Sequence, residues 1–194
     1  MGNEIKEYLI VDYKTSWPLE FNQIASELRI GLGNLALRID HIGSTSVQGL
    51  PAKDIIDIQI TVPALNQDVI QAMEKLGYSL PGGEYRDHVP PGQDKVPQQW
   101  EKLYFRAPAY QRSTHTHVRV PGRANQRYPL LFRDYLRSHP KTAEAYARLK
   151  KMLAEHLAVP AMYPDVKDPA VDLIYLAAEE WAEQTGWQPG ESDY

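Results

Sequence analysis

The chain has 194 residues, 43% hydrophobic and 24% charged, which suits one domain, or one domain with a helical appendage, and excludes a largely disordered chain. A net charge of −4 argues against a protein whose main task is coating DNA or RNA, because neutralising phosphates draws on a basic surface. With no cysteine, disulfides, thiolate catalysis and sulfur-ligated zinc are excluded.

Residues 1–7 carry no apolar stretch of signal-peptide length, and Gly2 lacks the serine or threonine context of a myristoylation site. No later run of about 18 apolar residues occurs. A cytoplasmic location with no membrane partner is expected. The first clear element is a helix over Leu19–Leu32, with Phe21, Ile24, Ala25, Leu28 and Leu32 at helical spacing. Pro18 stands near its start and Gly31 and Gly33 bracket its end. A short strand over Leu35–Ile42 breaks at Gly43-Ser44-Thr45-Ser46. Ile55–Val62 carries the strongest strand pattern: Ile56, Ile58, Ile60 and Val62 point one way, Asp57, Gln59 and Thr61 the other.

Ala64–Leu76 reads as an amphipathic helix stopped by Gly77. Pro81–Gln99, rich in proline, glycine and charge, reads as a long loop around a short strand near Tyr85, the kind of loop that serves as a lid or binding segment. Strands follow over Glu101–Arg106 and Ser113–Val120. Helices are then expected over Gln126–Ser138, Pro140–Leu157 and Asp168–Gly186, with Pro140 and Pro169 at helix starts. The order gives one mixed α/β (α+β) domain over 1–194, its core in about 8–122 and C-terminal helices in about 126–188.

Side chains two apart on a strand share a face. Asp57, Gln59 and Thr61 form one polar stripe; His115, His117 and Arg119 form a second; Lys102, Tyr104 and Arg106 form a third. If these strands are neighbours, one sheet face gathers carboxylate, imidazole, phenol and guanidinium groups. The plainer alternative is a sheet face that meets water. A Gly43-Ser44 bend after a strand frees backbone N–H groups and a hydroxyl for phosphate oxygens, with Lys53 within reach. Arg133 suits an anion clamp or an ion pair with Asp134, and Arg123, Arg127 and Arg137 add local positive charge. His88, His139, Trp181 and Trp187 read as ordinary loop, helix-end and packing residues.

Val11-Asp12-Tyr13, Trp17-Pro18, His41-Ile42-Gly43-Ser44-Thr45-Ser46-Val47, Ala52-Lys53, Ile55-Ile56-Asp57-Ile58, His115-Thr116-His117-Val118 and Phe132-Arg133-Asp134-Tyr135-Leu136 together resemble the GrpB family, over about residues 8–157. The resemblance implies a nucleotidyltransferase-like mixed sheet flanked by helices. In that superfamily a glycine-serine bend precedes a strand with carboxylates at i and i+2, and a third comes from a later strand. These carboxylates hold Mg²⁺ against a triphosphate. Gly43 and Ser44, with Thr45 and Ser46, match the bend, and Asp57 matches the first carboxylate and metal ligand. The second position is Gln59, an amide, and the later strand offers His117; Glu101 and Asp54 are the nearby substitutes, Asp54 on the wrong strand face.

The implied function is binding of a nucleotide or another phosphorylated small molecule, with nucleotidyl transfer to a small acceptor as its catalytic form and Mg²⁺ as its metal. His115 and His117 would then be catalytic, with Tyr104, Arg106, Arg119, Gln59 and Arg133 lining the pocket. Two alternatives stand beside it: a non-catalytic nucleotide-binding or regulatory module with a degenerate metal site, and an enzyme of other chemistry in which His115 and His117 are acid–base groups or, with Asp57, hold a transition metal. GrpB members are also described beside dephospho-CoA kinase domains. This chain has no Gly-x-x-x-x-Gly-Lys-Ser/Thr stretch, so no such kinase activity is expected.

Overall fold

The computed structural model describes residues 9–83 and 85–194; the N-terminal segment read above for targeting signals lies outside the described residues. Helix α1, Trp17–Leu32, starts two residues earlier than its periodicity predicts, because Pro18 falls within its first turn, where no intrahelical N–H is needed. Trp17, Phe21, Ile24, Ala25, Leu28 and Leu32 are its buried face. Gly33 ends it with φ 51, and a 3-10 turn over Gly33–Leu35 takes the first residues expected in the next strand. Strand β1 is therefore Arg38–Ile42.

Strand β2 is Ile56–Thr61, helix α2 Gln67–Lys75, β3 Tyr85–Arg86, β4 Glu101–Arg106 and β5 Thr114–Arg119. The sheet order is β1-β2-β5-β4-β3, with β2 and β5 parallel and the other pairs antiparallel. The register sets Asp57 beside His115, Gln59 beside His117 and Thr61 beside Arg119. On the other side of β5, Tyr104 stands beside His117 and Arg106 beside His115. The three polar stripes thus lie on one face. On the opposite face Ile56, Ile58, Ile60, Phe105 and Val118 are fully buried against α1 and α2. Burial of this set is the main stabilising term of the α/β half, at about 1.5–3 kcal/mol per large apolar side chain.

Helices α3, Ala124–Ser138, α4, Pro140–His156, and α5, Tyr163–Thr185, form the C-terminal helical part. They build a second core from Leu131, Phe132, Tyr135, Leu136, Tyr146, Tyr175 and Ala178, joined by Val47 and Leu50. The expected start of α5 at Asp168 is corrected. The helix begins at Tyr163 with Pro164 in its first turn, and Pro169 lies inside it, where its missing N–H forgoes one helical bond. Trp181 and Trp187 pack, half-buried, on this second core. Among the described residues no helix is long and apolar enough to cross a membrane.

Candidate functional site

The polar sheet face is only partly covered: Gln59, Thr61 and Arg119 are buried, while Asp57 and His115 keep 27% and 38% of their side-chain surface exposed. Helices α3, α4 and α5 lie over part of it and frame a cavity of about 360 Å³ that is open on one side. Ile42, Gly43, Ser44, Asp57, His115 and His117 form its sheet side. Lys53, Lys150 and Lys167 bring three side-chain amines, and Tyr128, Phe132, Tyr146 and Tyr163 bring aromatic wall. His88 and Asp168 complete its polar lining.

The bend is built for close approach. Gly43 has φ 68, and a Cβ there would meet Asp57 Oδ2 at 2.3 Å. Glycine alone lets the chain turn against the carboxylate. Ser44–Ser46 then form a 3-10 turn. Ser46 Oγ donates to Gly43 O at 2.6 Å, and Thr45 Oγ1 lies 2.9 Å from His41 Nε2. Thr45 and Ser46 therefore brace the bend from inside, and only Gly43 and Ser44 reach the cavity.

Asp57 Oδ1 is 2.9 Å from His115 Nδ1, so the carboxylate orients the imidazole with Nδ1 toward Asp57 and Nε2 turned away from it. His117 sits deeper. Burial, with Arg119 and Lys102 nearby, holds it well below its ordinary pKa and so neutral, and its Nδ1 has no hydrogen-bond partner among the described residues. Tyr104 packs on both histidines, ring centroids 6.1 Å from His115 and 5.3 Å from His117. With Arg106 it belongs to a neighbouring depression that shares His115 with the cavity.

Besides Tyr104 and Arg106, three more residues expected at the pocket lie elsewhere. Gln59 is fully buried, its Nε2 donating to Gln126 O at 3.0 Å and its Oε1 accepting from Arg119 at 2.7 Å. Arg119 is committed to Asp87 from the long loop, at 2.8 and 2.9 Å. Arg133 donates to His41 O and to Asp193 Oδ2 and pairs with Asp134. Gln59 is covered by α3, Arg119 is capped by the long loop, and Arg133 points from α3 to β1 and the C-terminal segment. Of the other arginines, Arg137 donates to Ser46 O, Arg127 pairs with Glu179 and Arg123 lies 3.6 Å from Glu101. Asp54 is held by Lys14, Trp17 and Arg112, away from the cavity.

Sequence reasoning missed Lys150, as it missed Lys167, Tyr128, Tyr146 and Tyr163 of the cavity lining. Lys150 is 3% exposed, and its Nζ donates to Ser44 Oγ at 2.8 Å and to Pro51 O. Burial and the Lys167 ammonium push its pKa down to about 7, against the pull of Asp57. The signal was its spacing: Lys150 stands four residues from Tyr146, and those two are the buried residues of α4. His88, read as an ordinary loop histidine, reaches Asp172 of α5 at 3.0 Å beside the cavity.

This donor set does not fit a two-metal centre. Asp57 is a single carboxylate already bonded to His115, Gln59 is consumed internally, and among the described residues no three His, Asp or Glu side chains converge to hold a metal.

Residues 7–176 match the family described as GrpB protein. GrpB of Enterococcus faecalis superposes with a TM-score of 0.70 at 29% sequence identity, covering 89% of this chain and 99% of that one. A UPF0157 protein of Halalkalibacterium halodurans is 35% identical over 149 residues, 76% of this chain and 69% of that protein. A protein of Mycobacterium leprae named dephospho-CoA kinase is 35% identical over 191 residues, 89% of this chain but 46% of that protein. The chain thus spans about half the length of its mycobacterial relatives. With a family match over most of its length, the chain belongs to the GrpB protein family.

Proposed function

We propose that the cavity binds a nucleotide or another phosphorylated small molecule on a nucleotidyltransferase-like fold. One observation carries this reading: three lysines and a glycine-serine bend share one cavity. Lys53 and Lys167 supply positive charge in a chain that is acidic overall, Lys150 supplies further N–H donors, and the bend supplies N–H groups and a hydroxyl, the donor types that phosphate oxygens accept from. Tyr128, Phe132, Tyr146 and Tyr163 give the other end of such a ligand an apolar face to stack on.

Nucleotidyl transfer through paired Mg²⁺ ions is outside this reading, since the ligand set for it is missing. Dephospho-CoA phosphorylation is outside it too: the relatives so named are about twice this length, and no Walker-type stretch is present. The favoured form is metal-independent binding.

Calorimetry with ATP, CTP and inorganic triphosphate, each in EDTA and in Mg²⁺, tests it. Binding is expected in EDTA. Asp57→Asn, which removes a like charge beside the bend, is expected to tighten binding by about five-fold, near 1 kcal/mol; Lys53→Met weakens it. Binding that requires Mg²⁺ and vanishes in Asp57→Asn would overturn the metal-independent form, and no binding of any of the three would overturn the reading altogether.

A further inference from the structure

The amine of Lys150 has chemistry that anion binding does not use. Its two hydrogen-bond acceptors, Ser44 Oγ and Pro51 O, are both neutral, and no carboxylate forms an ion pair with it among the described residues. A neutral amine has two N–H donors and a lone pair, whereas an ammonium has three donors. The two acceptors therefore match the neutral form and leave its lone pair free at the wall of the cavity.

The groups around it pull both ways. Burial and Lys167 on α5 disfavour charge, while Asp57 on β2 favours it. The Tyr146 ring on α4, its centroid 4.7 Å from Nζ, also favours the cation. Lys53 and Asp168 share the same lining, and Lys53 lies over the Tyr163 ring at 4.7 Å. A lysine desolvated beside a second cation is the setting in which a side-chain amine becomes a nucleophile near neutral pH.

We propose that Lys150 is a reactive amine, forming a covalent site for small molecules that carry both an aldehyde and a phosphate. The lone pair of Nζ adds to the aldehyde carbon and the C–N bond forms. The carbonyl oxygen leaves as water with the two hydrogens that were on Nζ, and an imine remains. No oxidant or reductant enters the step. The Ser44 hydroxyl, 2.8 Å from Nζ, is placed to pass protons to the departing oxygen. The inference leans on the proposed anion site for the phosphate alone; the reactivity of the amine stands on the burial and partners of Lys150.

Pyridoxal 5′-phosphate is the probe. The full chain is incubated with it at pH 7, the imine is reduced with borohydride to a stable secondary amine, and peptides are mapped by mass. An ordinary lysine, with a pKa near 10.4, is neutral in only about one molecule in 10³ at pH 7, so Lys150 is expected to label at least about ten-fold faster than the other lysines. The chain's α-amino group, which also reacts near neutral pH, serves as the internal reference. Inorganic triphosphate is expected to slow labelling, and pyridoxal, which lacks the phosphate, to label more slowly.

Adducts confined to exposed lysines and the α-amino group would overturn the proposal. Equal rates for pyridoxal and its phosphate, without protection by triphosphate, would uphold the amine and overturn the phosphate half, together with the anion-site reading. Lys150→Arg keeps a cation but removes the amine, and is expected to lose the adduct. The peptide map of the unmodified sequence decides the matter whether or not that variant folds.

Discussion

A lysine whose folded pKa is about 7 and whose unfolded pKa is near 10.4 makes stability depend on pH in a set direction. Below pH 7 both states are protonated and the fold bears the full cost of a buried ammonium. Above about pH 10.4 both are neutral and that cost is gone. Between these limits the unfolded chain binds the extra proton, so stability rises with pH, by up to ~1.4 kcal/mol per unit. Lys150→Met removes the charge and keeps the bulk. It is expected to stabilise the protein most at pH 7, with its advantage falling by roughly 2 kcal/mol by pH 9. Urea unfolding of both proteins at pH 7, 8 and 9 measures this; parallel curves would show that Lys150 is not the titrating group. In the sequence, Lys150-Lys151 looks like a solvated pair, and only Lys151, beside exposed Asp12, behaves as one. Asp57 was legible because a strand alternation isolates it on a polar face. Gln59 sits in the same alternation but is buried by α3, which strand periodicity cannot report.

At the scale of elements, the long loop between α2 and β4 has its most heavily bonded anchor at one side chain. Asp87 accepts from Arg119 at 2.8 and 2.9 Å, Lys102 at 2.6 Å and Asn125 at 3.0 Å. Burial opposes its ionisation, but Arg119 and Lys102 outweigh that and hold the carboxyl well below its usual range. Its contribution is therefore present above about pH 3.9 and lost as pH falls from there toward the folded value. Asp87→Asn leaves two buried cations without their anion, at a cost of about 3–5 kcal/mol. Hydrogen exchange is expected to rise over residues 85–96 well before it rises in α1. Unchanged exchange in the loop would mean that His88–Asp172 and the Trp100 bond to Asp94 O suffice to fix it. The loop and its short strand were legible from proline, glycine and charge. The pinning was not, because Asp87, Lys102 and Arg119 meet only through the β4–β5 pairing. The neighbour relation of β2 and β5 was likewise hidden, since a parallel pair separated by α2, β3 and β4 leaves no local mark.

Across the whole molecule, two apolar cores flank a polar seam in which the cavity lies. The chain following α5 ties the two sides together. Ser192 Oγ accepts from Ile39 N at 2.9 Å, Asp193 Oδ2 accepts from His41 N at 2.9 Å and from Arg133 of α3 at 2.7 Å, and Tyr194 N donates to Ile39 O at 3.1 Å. Arg38 adds bonds to Gly190 O and Glu191 O. These contacts occupy the outer edge of β1, whose other edge pairs with β2. An uncovered strand edge offers N–H and C=O groups to a second molecule. Nothing in residues 188–194 looks like an element by periodicity, which is why this role is invisible before the fold is known. Deleting residues 190–194 removes several bonds worth about 1 kcal/mol each, so a loss of roughly 2–4 kcal/mol is expected in unfolding experiments. It also strips β1, so the shortened chain is expected to self-associate in sedimentation runs at rising concentration, while Asp193→Asn, which keeps the backbone cover, loses stability without associating. A shortened chain that associates no more than the full one would show that β1 needs no cover, and one that keeps its full unfolding free energy would show that the segment is not a tie between the halves.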